Sequence, residues 1–486
     1  MNPIIRYSAS LAAAAVCFPA FSAPKPKLPN IIVVFIDDMG YGDLGCYGAT
    51  GYTTPNLDKM ASQGMRFTNF VSAQAVCSAS RAGILTGCYP NRVGISGALM
   101  PYSKVGLNPE EETIAEVLKK QNYKTAAIGK WHLGYQKEFL PLQQGFDEYF
   151  GLPYSNDMWP VNFDGKPATK SSNANKASYP PLPLIEGNEK IREIKNLEDM
   201  SELTTLYTER AVKIINANKN NPFFIYLAHS MCHVPLAVSS KFKGKSQQGL
   251  FGDVIMEIDW SVGEILKALE KNGLTRNTLV VFTSDNGPWL NFGNHAGSAG
   301  GLREGKGVSF EGGQREPCIM KWPGQIPEGT ICNKLASTID LLPTFAAITN
   351  AELPKKKIDG INIISLMQGD VNANPRESFL YYYRKNNLEG VRKGNWKLVL
   401  AHPGRTYHGF EPGRDGFPGK VDENFNHPEG LYDLRRDPGE QYDVKEFYPE
   451  VVAELKKIAD AAREDLGDDL MNKPGKNRRE PGTAKE

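Results

Sequence analysis

The chain has 486 residues, 23% charged and 41% hydrophobic, with 47 Gly and 33 Pro. That is a globular composition with ample core, and it excludes both a disordered chain and a disulfide scaffold. Lys and Arg total 56 against 55 Asp and Glu, which leaves no bulk positive field to recruit nucleic acid.

Residues 1–23 read as a secretory signal. Arg6 is their only charge, Leu11 to Phe21 is a short Ala-rich apolar run, and Ala20, Ser22 and Ala23 offer small residues for cleavage. The run is too short for a permanent membrane span, and no later stretch approaches about 18 uninterrupted apolar residues. The expected location is periplasmic or secreted. Loss of Cys17 with the leader leaves Cys46, Cys77, Cys88, Cys232, Cys318 and Cys332. They show no close C-x-x-C spacing, and a chain this long can stabilise itself by burial without a disulfide framework.

Asn30 to Asp37 (NIIVVFID) is a β-branched apolar run, the pattern of a strand buried on both faces. Thr54-Pro55 opens a short helix, Thr113 to Lys120 is helical, and Lys124 to Gly129 is a second buried strand. Glu202 to Ala217 reads as helix, Phe223 to Ala228 as strand, Phe251 to Leu269 as a long amphipathic helix and Thr278 to Thr283 as strand. This alternation predicts an α/β fold with a large, mostly parallel sheet flanked by helices. After about residue 375 the texture changes to short strands at Phe379–Tyr383, Trp396–Leu400 and Leu431–Leu434, then a helix near Glu450–Ala462. The expected organisation is a catalytic domain over 24–375, a small antiparallel sheet plus helix over 376–470, and a flexible tail over 471–486. The stretch Pro403–His427, rich in Gly, Pro and charge, reads as a surface loop.

In open parallel sheets, ligands gather beyond the carboxyl ends of the strands. Predicted strands end there in Asp37-Asp38, in Lys130 and in Asp285-Asn286. Three carboxylates and a carboxamide are hard oxygen donors that suit Ca²⁺ or Mg²⁺. One Asp after a strand is ordinarily a cap or turn residue; two such pairs ending buried strands point to a metal.

Cys77-Ser78-Ala79-Ser80-Arg81 leads through Ala82, Gly83 and Ile84 into Leu85-Thr86-Gly87. This segment resembles the signature of the type I sulfatases: Cys, any residue, Pro or Ala, any residue, Arg, then a helix ending in Leu-Thr-Gly. The flanks extend the likeness, with Gly129-Lys130-Trp131-His132-Leu133-Gly134, Asp285-Asn286-Gly287, Gly305-Lys306-Gly307, Glu311-Gly312-Gly313 and Arg315-Glu316-Pro317 in the family's order. It reaches Leu431-Tyr432-Asp433-Leu434 near the C-terminus and covers nearly the whole mature chain, in the manner of the arylsulfatase A and N-acetylgalactosamine-6-sulfatase branch.

The resemblance implies the alkaline phosphatase superfamily fold and sulfate ester hydrolysis. It implies that a maturase, a transient partner, converts Cys77 to formylglycine, whose hydrate supplies the nucleophilic hydroxyl. One Ca²⁺ is then expected on Asp37, Asp38, Asp285 and Asn286, with the modified Cys77 completing the shell. Arg81 would steady the hydrate and the metal-site carboxylates, and Lys130 and Lys306 would clamp the sulfate. His233 would protonate the departing sugar oxygen, with Lys306 as an alternative donor, and His132 would take the proton that lets the sulfated hydrate collapse. Ser155 matches a serine that reaches the sulfate in the arylsulfatase branch.

Signal and family together favour a sulfated carbohydrate substrate, either a carrageenan-like galactan or a glycosaminoglycan. Trp159, Trp289, Arg303, Arg405, His408 and Arg414 are candidate sugar-lining residues, the arginines reading neighbouring sulfates. Two other readings compete. One is a phosphatase or phosphodiesterase on the same fold, which the Cys77 motif disfavours. The other is a sulfated-glycan-binding protein with an unmodified Cys77.

Overall fold

The computed structural model describes Pro3 and residues 27–484. The expected leader lies, Pro3 apart, outside the described residues. Among the described residues no helix is long and apolar enough to cross a membrane, and the six cysteines are free.

The expected strand–helix alternation closes into one large sheet. Its main strands are β1 (Asn30–Ile36), β2 (Met65–Val71), β3 (Lys124–Gly129), β4 (Glu148–Gly151), β5 (Leu182–Glu186), β6 (Glu189–Ile194), β7 (Phe223–Ala228), β8 (Thr278–Ser284), β9 (Arg315–Lys321) and β10 (Thr330–Cys332). They lie side by side in the order β10-β2-β9-β8-β1-β7-β3-β4-β5-β6. The central run β8-β1-β7-β3-β4 is parallel, while β9, β5 and β6 run antiparallel to their neighbours.

Helices cover both faces: α1 (Pro55–Ser62), α2 (Cys77–Thr86), α3 (Ile114–Lys119), α4 (Leu203–Ala217), α5 (Gly249–Lys271) and α6 (Leu341–Thr349). The period of two along β1 decides which layer each residue meets. Ile32, Val34 and Ile36 join a core with α1, α4 and α5; Ile31, Val33 and Phe35 join another with α2, α3 and α6. Both sets are fully buried, so the unbroken apolar run is required rather than tolerated. α3 starts where a capping box closes, Thr113 Oγ1 accepting from Glu116 N–H while the Glu116 carboxylate accepts from Thr113 N–H at 2.7 Å.

Beyond residue 375 come β11 (Ser378–Tyr383), β12 (Asn387–Lys393), β13 (Trp396–Val399), β14 (His402–Thr406), β15 (Asp422–His427), β16 (Gly430–Asp433) and α7 (Pro449–Leu466). The antiparallel sheet β11-β12-β13-β16 packs on α7 through Leu455, Ala459, Ala462 and Leu466. Two sequence expectations need correction. The stretch expected to be one surface loop holds the β14–β15 hairpin, with His402 opposite His427; its strands are too polar to show a period-two signal. The end of the chain expected to be loose is fastened down to Ala484: Gly482 pairs with Gly106, and the Arg479 guanidinium donates twice to Glu111 at 2.7 Å.

Candidate active site

Because β8, β1, β7 and β3 are parallel, their carboxyl ends deliver Asp285-Asn286, Asp37-Asp38, His233 and Lys130 to one edge of the sheet. The two acidic strand ends are tied together: Asp38 N–H donates to Asp285 Oδ1 at 3.2 Å, and Asn286 Nδ2 donates to Asp38 Oδ1 at 2.7 Å. The Asp38 backbone has φ 57°, a left-handed turn that swings the chain off β1 as soon as the strand ends.

Cys77 is the first residue of α2, so its side chain stands at the positive end of that helix. One turn on, Arg81 is completely buried. Its Nη2 donates to Asp285 Oδ2 at 2.7 Å and lies 3.6 Å from Asp37 Oδ2, while Nη1 donates to the Lys130 carbonyl at 2.8 Å. Lys130 Nζ donates to Asp37 Oδ2 at 2.5 Å and to Ser155 Oγ at 3.1 Å. Lys306 Nζ sits 2.7 Å from Asp38 Oδ1 and 2.8 Å from Oδ2. His233 donates from Nδ1 to the Val234 carbonyl at 2.6 Å, which turns Nε2 toward Asp38 Oδ2 at 3.6 Å. His132 donates from Nε2 to the Leu99 carbonyl at 2.9 Å and leaves Nδ1 buried without a partner.

The residues singled out in the sequence thus occupy one buried cluster. Cys77 lies in the fields of Lys130, Lys306, Asp37 and Asp285, and His132 in those of Lys130 and Arg81. Burial alone would raise Asp37, but Lys130, His233 and Arg81 hold it well below the usual carboxylate range. Burial pushes Asp285 up to about 7, helped by the Asp37 charge and opposed by Arg81 and Lys130. Burial lowers both His132 and His233; Lys130 and Arg81 lower His132 further, and Lys306 lowers His233 further while Asp38 and Asp37 oppose the shift there. Burial also raises the Cys77 thiol, which in that state is a poor nucleophile.

The donors fit a hard divalent cation. Asp37, Asp38 and His233 bring ligand-capable atoms within 4.8 Å of one another. Asp37 Oδ1 and Asn286 Oδ1 are buried with no hydrogen-bond partner. Buried oxygens without donors, beside an Asp285 that neighbouring carboxylate charge pushes up, are what a cation relieves.

Three neighbours carry no motif of their own. The Trp289 ring stands 4.5 Å from Lys306 Nζ and 5.5 Å from the His233 ring. Asp157 shares the fields of His233 and Lys176, and Tyr383, from β11, packs against the group that holds Cys77. Trp289 is one of the candidate sugar-lining residues of the sequence, whereas Asp157 and Tyr383 are revealed by the assembled fold. Two of the three arginines expected to read neighbouring sulfates, Arg405 and Arg303, already have partners. Arg405 donates to Glu423 at 2.7 and 3.0 Å, while Arg303 donates to the Glu440 carbonyl at 2.9 Å and lies 4.0 Å over the Phe310 ring.

Residues 29–351 match the family model described as Sulfatase, and residues 374–483 match the C-terminal region of aryl-sulfatase. The chain is 38% identical to human arylsulfatase A over 443 residues, covering 88% of this chain and 87% of that one. It is 37% identical to mouse N-acetylgalactosamine-6-sulfatase over 444 residues, covering 87% and 83%. Among solved structures, the PsFucS1 sulfatase from Pseudoalteromonas sp. superposes with a TM-score of 0.81 at 28% identity, covering 94% of this chain and 92% of that one. Ps i-CgsB in complex with k-i-k-neocarrahexaose gives 0.74 at 26%, covering 95% of each.

Proposed function

The chain belongs to the sulfatase family and is a sulfuric ester hydrolase, and from that premise we propose that it is an exported enzyme acting on a sulfated carbohydrate through a formylglycine made from Cys77. One Ca²⁺ would be held by Asp37, Asp38, Asp285 and Asn286 together with the modified Cys77. The ion would screen the repulsion between an anionic nucleophile and an anionic ester and polarise the S–O bonds. The formylglycine hydrate would supply the attacking hydroxyl in place of a thiol that burial keeps protonated.

The protein's own groups do the remaining work. Lys130 pairs with Asp37 and Lys306 with Asp38, and with Ser155 Oγ the two lysines bind the non-bridging sulfate oxygens. Arg81 fixes Asp285 and the Lys130 backbone, which keeps both halves of the site in register. His132 Nδ1, buried and unpartnered, accepts the proton that must leave the sulfated hydrate. His233 serves the leaving oxygen. Since Nδ1 donates to Val234, the proton it gives has to sit on Nε2.

The single observation that carries this reading is the meeting of Cys77, Arg81, Lys130 and Lys306 with three carboxylates in one buried cluster. A carbohydrate substrate is supported by the names of the relatives, an N-acetylgalactosamine-6-sulfatase and a protein crystallised with a carrageenan oligosaccharide. We read residues 1–23 as the export signal, 24–375 as the catalytic domain and 376–470 as the smaller subdomain beside it.

The test is the mass of the Cys77 peptide from a host with a formylglycine-generating maturase, coupled to sulfate release. An aldehyde-bearing, lighter peptide in active protein is expected, and full activity with an intact thiol would refute the proposed nucleophile. Chelation should abolish turnover and Ca²⁺ restore it. Lys130→Ala and Lys306→Ala should each lower kcat/KM by roughly 10²–10³-fold.

A further inference from the structure

A cavity of about 670 Å³ opens beside the catalytic cluster, between the Lys306 loop and the β14–β15 hairpin. Two contacts fix its place. Tyr407 lines it and donates its hydroxyl to the Lys306 carbonyl at 2.6 Å; Leu290 lines it and directly follows Trp289, the ring over Lys306 Nζ. A molecule seated there is a neighbour of whatever the lysines hold.

Its chemistry is the reverse of the catalytic pocket's. Phe410 and Phe425, each 40% exposed, offer aromatic faces to it. Arg303 is the one Lys or Arg among the described residues lining it; its Nη1 donates to the Glu440 backbone carbonyl and the Tyr432 hydroxyl, and its guanidinium lies over the Phe310 ring. Against it stand the carboxylates of Glu304 and Asp422. Glu304 is occupied, accepting from Thr406 Oγ1 at 2.6 Å and Tyr407 N–H at 2.9 Å. Asp422 uses Oδ1 for the Asn424 N–H at 2.8 Å. A second sulfate would meet the carboxylates of Glu304 and Asp422 against one guanidinium that already has partners, with His408 the one other lining group able to carry a positive charge. A neutral pyranose would meet aromatic faces for its C–H surface and Asp422 for its hydroxyls.

We propose that this cavity is a subsite for an unsulfated sugar adjoining the sulfated residue, and that it disfavours a sulfate at that neighbouring position. The inference rests on the carbohydrate reading above and deepens it.

The experiment measures kcat/KM for the matured holoenzyme on three probes. These are 4-methylumbelliferyl sulfate, oligosaccharides from a galactan and a glycosaminoglycan with one sulfated residue beside an unsulfated one, and the same oligosaccharides with both residues sulfated. The wild-type enzyme should prefer the singly sulfated set. Phe410→Ala combined with Phe425→Ala should lower kcat/KM on that set by ~10-fold, the scale of lost aromatic contacts, with the aryl sulfate unchanged. Asp422→Lys should shift the preference toward the doubly sulfated set.

Equal falls on the aryl sulfate, or no fall on the oligosaccharides, would overturn the subsite while leaving a carbohydrate sulfatase intact. So would an Asp422→Lys enzyme with unaltered preference. Turnover of the aryl sulfate with none of the oligosaccharides would instead remove the carbohydrate reading, and the subsite with it.

Discussion

Arg81 and Asp285 form a fully buried ion pair at 2.7 Å, one partner on α2 and the other at the end of β8. It links the helix that begins with Cys77 to the sheet edge that carries the acidic groups. Each charge would be uncompensated without the other, and Asp285, already pushed up by burial, would be protonated.

The first prediction concerns geometry as well as charge. Arg81→Lys keeps a cation but loses the fork that reaches Asp285 and the Lys130 carbonyl together. The variant should fold, with stability lowered by about 1–3 kcal/mol and kcat lowered by ~100-fold. Arg81→Ala should cost about 3–5 kcal/mol. Urea unfolding beside turnover on an aryl sulfate checks both, and an Arg81→Lys enzyme with wild-type kcat would show that the fork is dispensable.

Gly129 makes a second prediction. It ends β3 with φ 99°, and a Cβ there would stand 1.9 Å from the Ala228 carbonyl oxygen of β7. No side-chain rotation relieves a clash with backbone, so Gly129→Ala must push β3 and β7 apart or rotate the chain before Lys130. The expected loss is about 2 kcal/mol or more, with turnover falling because Lys130 no longer reaches Asp37 and Ser155. A variant with an unchanged unfolding midpoint would refute this packing argument.

The parallel core and the catalytic cluster were legible in the sequence for one reason. A strand buried on both faces must be apolar throughout, so the polar residues just past Ile36, Gly129 and Ser284 stand out sharply. β12 (NLEGVRK) escaped notice because buried Glu389 and Arg392 interrupt its apolar pattern. The Arg392 charge is met by a partner 81 residues away, the Glu311 carboxylate at 3.3 Å. The hairpin behind Lys306 escaped for the same reason, since its residues are chosen by Glu304, Tyr407 and Arg405 contacts rather than by a periodic face.

Glu311 is the hub of that hidden network and yields the third prediction. Its carboxylate accepts from Arg315 of β9 at 2.6 Å, Tyr381 of β11 at 2.7 Å, Lys397 of β13 at 3.1 Å and Arg392 of β12 at 3.3 Å. It therefore joins the small C-terminal sheet to the large one. Burial would raise its pKa, but Arg315, Lys397 and Arg392 hold it well below the usual range. A depressed carboxylate contributes stability above its unfolded pKa of about 4.3, and the contribution is lost as the pH falls below that value. Glu311→Gln should cost about 3–5 kcal/mol at pH 7 and distinctly less at pH 3. A cost independent of pH would assign the effect to packing.

Glu389 predicts the opposite slope. It is buried on β12, its Oε1 has no hydrogen-bond partner, and Oε2 lies 3.4 Å from His402 Nε2. Burial pushes it up to about 8, the nearby Ser309 hydroxyl and the Arg384 charge only partly offsetting this, while burial brings His402 down to about 4. No imidazolium is therefore present in the neutral range to pair with a carboxylate. A raised pKa gives stability that is complete below the unfolded value of about 4.3 and is lost as the pH climbs through the folded one. Wild-type protein should thus lose up to about 1.4 kcal/mol per pH unit from this group between pH 5 and 8. Glu389→Gln, neutral at every pH, lacks that slope. Urea unfolding of both proteins from pH 5 to 9 should show the variant gaining on the wild type up to pH 8 and holding a constant lead above it. A difference that stays flat across the series would mean that Glu389 is already charged in the folded protein at pH 5.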